Sequence, residues 1–267
     1  MLKRLSLDTT CCRASRGDSR VWRITAKKCL FALGVVVFLS GGCRSNQEPA
    51  ATEMPAPRVE RVLTQEEQNR LTPDDVVEML TEGNRRFVSG TLTTRDHSRQ
   101  VREAATGQFP KAIVLSCVDS RVPVEDVFDR GIGDMFVARV AGNFENTDNL
   151  GSMEFATKVS GAKLVLVLGH SKCGAVHGAI DGVELGNITA MVANITAAVD
   201  HFDSYDGDKT SGNEEFVRMV TEQNVRITIE DIRERSPVLR EMEENGEVRI
   251  VGALYDMGTG EVSILDE

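Results

Sequence analysis

Four short apolar runs, Ala112 to Ser116, Met135 to Val140, Lys163 to Leu168 and Val248 to Leu254, recur along the chain with helix-like stretches such as Leu150 to Val159 between them. Runs that are apolar throughout, rather than alternating with polar residues, read as strands buried on both faces. Parallel neighbours need crossovers of a dozen residues or more, and the gaps between these runs supply them. The expected fold is therefore α/β, with a largely parallel central sheet and helices on both faces. The segment Tyr255 to Gly260 carries two glycines and leads into Val262 to Leu265, a hairpin signal that predicts an antiparallel strand at one edge.

Two helices are legible in detail. Thr72 followed by Pro73 is an N-cap and first-turn pair, and Val76, Val77, Leu80 and Phe87 share one helical face, so a helix is expected over about 73 to 89. Residues 214 to 234 carry Phe216, Val217, Val220, Val225, Ile229 and Ile232 at helical spacing, which reads as core and is assigned no chemistry.

The beginning of the chain has a different character. Lys27 and Lys28 precede an apolar run from Cys29 to Leu39, and Ser40, Gly41 and Gly42 lead to Cys43. That order is a signal peptide's, and the run falls short of the roughly 20 residues a spanning helix needs. The small residues before Cys43 resemble a lipoprotein cleavage box, with Ser40 where such boxes usually have leucine. Residues 1–43 are thus read as an export leader of lipoprotein type, with Cys43 as the lipidated residue. Residues 44–65, with Pro49, Pro55 and Pro57, read as a tether, and 66–267 as one catalytic domain. The expected location is the periplasm or cell envelope, at a membrane through the lipid.

The charge is unevenly placed. The first 43 residues carry eight basic and two acidic side chains, and the whole chain is −10, so the remainder carries about −16. A body so negative repels phosphate backbones and excludes nucleic acid as a partner. A small neutral or anionic substrate is still admissible in a locally positive cleft.

Of the six cysteines, Cys11, Cys12, Cys29 and Cys43 lie in the leader, leaving Cys117 and Cys173 in the body. Two isolated cysteines in an exported domain would read as a disulfide. Their surroundings favour a metal instead. Cys117 and His170 each follow a predicted strand, so both side chains emerge at carboxyl ends, where open α/β sheets place their sites. Cys173 lies three residues after His170, within reach of the same ion. Two thiolates and an imidazole suit Zn2+ and leave a fourth position open, as catalysis requires. Asp119, two residues beyond Cys117, can reach that position, and Arg121 can restrain it. His177, one helical turn after Cys173, is left out of the site. Arg139, at a strand end, reads either as a contact to an anion or to a partner subunit, or as half of an ordinary carboxylate pair.

Cys117-Val118-Asp119-Ser120-Arg121 followed by His170-Ser171-Lys172-Cys173 resembles the paired signature of the β-carbonic anhydrases. The segments Asp134 to Asn143 and Gly174 to Val176 agree with it. The resemblance implies reversible hydration of carbon dioxide to bicarbonate by hydroxide on zinc, with Cys117, His170 and Cys173 as ligands. It implies that Asp119 either accepts a hydrogen bond at the zinc's fourth position or ligates zinc itself, with Arg121 as its partner. It places Gln108, Phe136, Ala141 and Gly174 at the substrate, and implies a homodimer or a multiple of one. Phe155 stands where plant-like members have a tyrosine, fifteen residues before the zinc histidine, so any proton transfer by that hydroxyl is lost. Zinc lowers the pKa of bound water toward about 7 when three histidines hold it. Two thiolates donate more electron density, so mildly alkaline activity is expected. A non-catalytic zinc- or bicarbonate-binding lipoprotein, and a hydrolase of a related heterocumulene such as carbon disulfide, remain alternatives on the same fold.

Overall fold

The computed structural model describes residues 61–266, and the leader, Cys43 and the tether up to residue 60 lie outside the described residues. The chain runs through α1 (Gln65–Arg70), α2 (Pro73–Ser89), α3 (His97–Ala104), β1 (Ala112–Ser116), α4 (Val124–Val127), β2 (Met135–Arg139) and α5 (Thr147–Glu154). A π-helical turn (Phe155–Val159) precedes β3 (Leu164–His170), α6 (Gly174–Ile180), α7 (Gly186–Val192), α8 (Thr196–Asp200), α9 (Glu214–Arg235), α10 (Pro237–Glu244), β4 (Arg249–Tyr255) and β5 (Val262–Ile264).

The strands form one sheet in the order β2-β1-β3-β4-β5. The first three pairings are parallel and β4 with β5 is antiparallel, as the patterning predicts. Alternate residues of β1 feed two separate cores, because successive side chains leave a strand on opposite faces. Ile113 and Leu115 pack with Met153 of α5, Val225, Ile229 and Ile232 of α9 and Leu239 of α10. Ala112 and Val114 pack with Val76 and Leu80 of α2, Val124 and Val127 of α4 and Phe128. Every residue of β1 and β3 is buried, which explains why neither run alternates with polar residues.

Helix α2 has its expected limits. The Thr72 hydroxyl accepts the amide of Asp75, the Asp75 carboxylate accepts the amide of Thr72, and Gly90 ends the helix in the left-handed region at φ 69°. Helix α1 has no counterpart in the apolar pattern. It falls at the expected end of the tether, opened by a capping box of Thr64 and Glu67. Its one buried residue, Gln68, donates to the carbonyls of Pro110 (2.7 Å) and Ser160 (2.8 Å) and so fastens α1 to the loops that enter β1 and β3. The helix expected over 150 to 159 begins earlier, at an Asn146 cap, and its last turn widens to a π-helix, with Ser160 donating to the carbonyl of Phe155. Among the described residues, no helix is long and apolar enough to cross a membrane.

Candidate metal centre

Because β1 and β3 are parallel neighbours with Ser116 opposite Leu168, their carboxyl ends lie side by side. Cys117 leaves the first, His170 ends the second, and a two-residue turn returns the chain to Cys173 at the N-terminus of α6. That turn is tight enough to hold Lys172 in the left-handed region at φ 56°, which a non-glycine residue adopts only when its surroundings enforce it. Two contacts do so: Ser171 donates its amide to the carbonyl of Tyr255 (3.0 Å), and its hydroxyl accepts the amide of Met257 (2.9 Å).

The ligand atoms of Cys117, His170 and Cys173 all lie within 4.8 Å of one another, and all three residues are buried. Donors at zinc distances of about 2.0 to 2.3 Å sit roughly 3.3 to 3.8 Å apart around a tetrahedral ion, so the cluster has the right size. Nδ1 of His170 lies 2.9 Å from the Ser171 carbonyl, which places the proton on Nδ1 and the lone pair on Nε2. Nε2 is buried with no protein partner. An unmet lone pair facing two buried thiols is costly unless a cation takes it, and this donor set fits zinc.

The thiols are poised for the same role. Cys117 is shifted down to about 4, chiefly by hydrogen bonding with Cys173, and then by His170 and the amides of Gly142 and Asp119 against the opposing effect of burial. Cys173 is pushed up, first by that same shared proton and then by burial. The Gly142 amide lies 3.4 Å from Cys117 Sγ. Gly142 has φ 88°, and a Cβ there would stand 2.5 Å from Cδ1 of Ile195, so only glycine brings this amide to the sulfur. Asn224 of α9 holds the same residue through its following peptide by donating to the Gly142 carbonyl (2.8 Å).

Asp119 and Arg121 form a bidentate pair. Nε reaches Oδ1 at 2.9 Å, Nη2 reaches Oδ2 at 2.7 Å, and the Arg121 amide adds a third donor to Oδ1 at 2.9 Å. Arg121, chiefly through its side-chain hydrogen bonds, holds the Asp119 carboxyl well below the usual carboxylate range. Arg121 also donates to the Lys172 carbonyl (3.2 Å), joining the loop after β1 to the turn after β3.

Of the other residues singled out, Ala141 packs against the cluster that contains Cys117 and Cys173, and Gly174 opens α6 with free space at its Cα. Gln108 and Phe136 are not brought to this site within the protomer. Gln108 is exposed ahead of β1, and Phe136 pairs in register with Ile113, so both sit toward the amino ends of strands whose carboxyl ends carry the metal ligands. Phe136 instead meets Phe155 edge to face at 6.1 Å, in a cleft of about 710 Å³ also lined by Ile113, Asn149 and Gly151. Arg139 is not half of a carboxylate pair: its three partners are backbone carbonyls of the loop after β1. Sequence inspection had no means to find Asn224, a polar residue within an apolar helical stripe whose partner is 82 residues away.

These features define a class: an α/β protein with a two-thiolate, one-imidazole metal centre at a sheet's carboxyl edge and a carboxylate–guanidinium pair beside the open position. The carbonic anhydrase family model matches residues 112–262. Carbonic anhydrase 2 of Mycobacterium tuberculosis is 36% identical over 192 residues, covering 70% of this chain and 90% of that one. The carbonic anhydrase of Mycolicibacterium smegmatis is 32% identical over 194 residues, covering 69% and 89%. The structure of a β-carbonic anhydrase from Aspergillus fumigatus superposes with a TM-score of 0.57 at 28% identity, covering 64% of this chain and 82% of that one. The chain belongs to the β class of the carbonic anhydrase family.

Proposed function

We propose that this chain interconverts carbon dioxide and bicarbonate at a zinc ion held by Cys117, His170 and Cys173. The partnerless Nε2 of His170, buried between two thiols, carries this reading. When bound, zinc supplies the Lewis acidity that makes a neighbouring water a nucleophile near neutral pH. The protein's part is geometry. Arg121 keeps Asp119 ionised and turned, so that its carboxylate can accept the hydrogen bond that aims the attacking oxygen. The apolar surface at Ala141 gives carbon dioxide a dry approach. A purely structural or storage zinc site has no use for the Asp119–Arg121 pair, which favours catalysis over simple binding. Asp119→Asn should retain zinc but lose about 10²-fold in kcat, read by stopped-flow hydration. Unchanged turnover would remove Asp119 from the reaction.

The working unit is proposed to be a homodimer or a multiple of one. Strand β2 is an edge of the sheet, and Phe155, which meets Phe136 of that strand, is 50% exposed, an apolar border of the kind that a second copy covers. A copy laid antiparallel along β2 brings the amino ends of one sheet to the carboxyl ends of the other. Gln108 and Phe136 of one protomer would then approach the metal centre of its partner. Phe155→Glu should shift sedimentation toward the monomer and lower hydration with it, and an unaltered assembly would place the interface elsewhere.

Export and lipid anchoring at Cys43 rest on the leader's order of basic, apolar and small residues. Labelled palmitate incorporated by the full chain and lost in Cys43→Ser is the expected result, and equal labelling of both would exclude that cysteine.

A further inference from the structure

The loop from Cys117 to Val122 holds a zinc ligand and, two residues on, the carboxylate that serves the open position. Its shape is set from outside itself. Arg139, the last residue of β2, lies opposite Ser116 and sends its guanidinium under the loop. Nε donates to the carbonyl of Cys117 at 2.7 Å, and Nη2 donates to the carbonyls of Asp119 at 2.7 Å and Val122 at 3.0 Å. The Asp119 carbonyl also accepts the Val122 amide at 3.2 Å, so the loop is a turn closed around the cation. Three carbonyl dipoles converging on one guanidinium are charge-assisted bonds in a fixed planar fork, which a lysine ammonium cannot reproduce at three separated points.

We propose that Arg139 is a positioning residue for the reaction: it sets where Asp119 stands relative to Cys117, and hence relative to the metal's open position. Arg121 orients the Asp119 carboxylate from one side, while Arg139 anchors the Asp119 backbone from the other. Neither can replace the other, since one binds the side-chain oxygens and the other the main-chain oxygen. Arg139 also belongs to the edge strand, so the placement of Asp119 is tied to the border at which a second copy is proposed to sit. This inference rests on the carbonic anhydrase reading.

The test uses the full chain with Arg139→Ala and Arg139→Lys, each loaded with Zn2+ or Co2+. Both variants should hold one metal per chain. In Arg139→Ala kcat should fall about 10²-fold with KM little changed, the cost of a misplaced group rather than of lost binding. The visible Co2+ absorption should differ from that of the unsubstituted chain. Methylguanidinium should restore part of kcat and methylammonium should not, an outcome that a general loss of stability does not produce. Arg139→Lys should retain the fold and fall between the two. A wild-type Co2+ spectrum together with wild-type kcat in Arg139→Ala would overturn the proposal, as would equal rescue by both cations, which would make Arg139 a charge rather than a clamp. If the unsubstituted chain fails to hydrate carbon dioxide, the activity reading has failed, and the Co2+ spectra still decide whether Arg139 shapes the metal site.

Discussion

Cys173→Ser should release the metal and lower carbon dioxide hydration by about 10³-fold or more, the equivalent of the several kcal/mol that a Lewis acid contributes to the transition state. Cys173 is wholly buried, and the amides of Ala175 and Val176 in the first turn of α6 face its sulfur. A serine hydroxyl would keep its proton and bind zinc weakly. The variant changes one atom in the cluster that contains Cys117 and Cys173 and leaves the two clusters packed on β1 untouched, so the fold should persist. Metal analysis of the purified protein beside stopped-flow hydration gives the answer, and full zinc with full activity would refute the assignment of the ligand set. Because Cys117 and Cys173 are the only cysteines among the described residues, the same variant prevents their oxidation to a disulfide in the metal-free protein.

Asp129→Asn should cost about 3 to 5 kcal/mol of stability, the range for breaking a buried ion pair from one side. The Asp129 side chain is fully buried beneath Arg86 and Arg95, which are themselves mostly covered. It accepts Arg86 Nε at 2.5 Å, Arg95 Nη1 at 2.7 Å, and the amide and hydroxyl of Thr93 at 3.0 and 2.7 Å. The substitution removes the buried carboxylate that Arg86 and Arg95 share at the junction of α2, the strap before α3 and the end of α4. Urea unfolding at neutral pH measures the loss, and a difference below 1 kcal/mol would show that solvent already compensates the pair. A pH signature accompanies it. Burial alone would raise the Asp129 pKa, but Arg86, Thr93 and Arg95 outweigh it and hold it at about 2, below the ordinary 3.8. A depressed carboxylate pKa stabilises the fold above about pH 4, and that contribution disappears as pH falls toward 2. The wild-type protein should therefore lose stability across that window, and Asp129→Asn should lose less of it there.

Much of this architecture is legible in one dimension. Strands buried on both faces must be apolar at every position, so β1 and β3 stand out from the helices around them. Helix α2 declares its start through Thr72 and Pro73, because capping is local chemistry. The metal ligands are legible for a related reason: a strand end followed by a short turn to a helix start confines His170 and Cys173 to one neighbourhood. Helix α1 is not legible, because six residues with one buried side chain carry no apolar period, and Gln68 holds it by contacts 42 and 92 positions away.

The sequence by itself determined that the sheet is largely parallel, and its two short motifs, through their resemblance to a known signature, pointed to Cys117, His170, Cys173 and Asp119. Only the tertiary structure decided which surroundings those residues have. The lone pair of His170 is left unmet because Ser171 engages the other nitrogen, and the Asp119 loop closes on Arg139 because parallel register sets Arg139 opposite Ser116. Gln108 and Phe136 stand at the wrong end of the sheet to serve their own metal centre. Such relations depend on register and on contacts across tens of residues, where pairing energies are spread over the whole core and no local pattern records them.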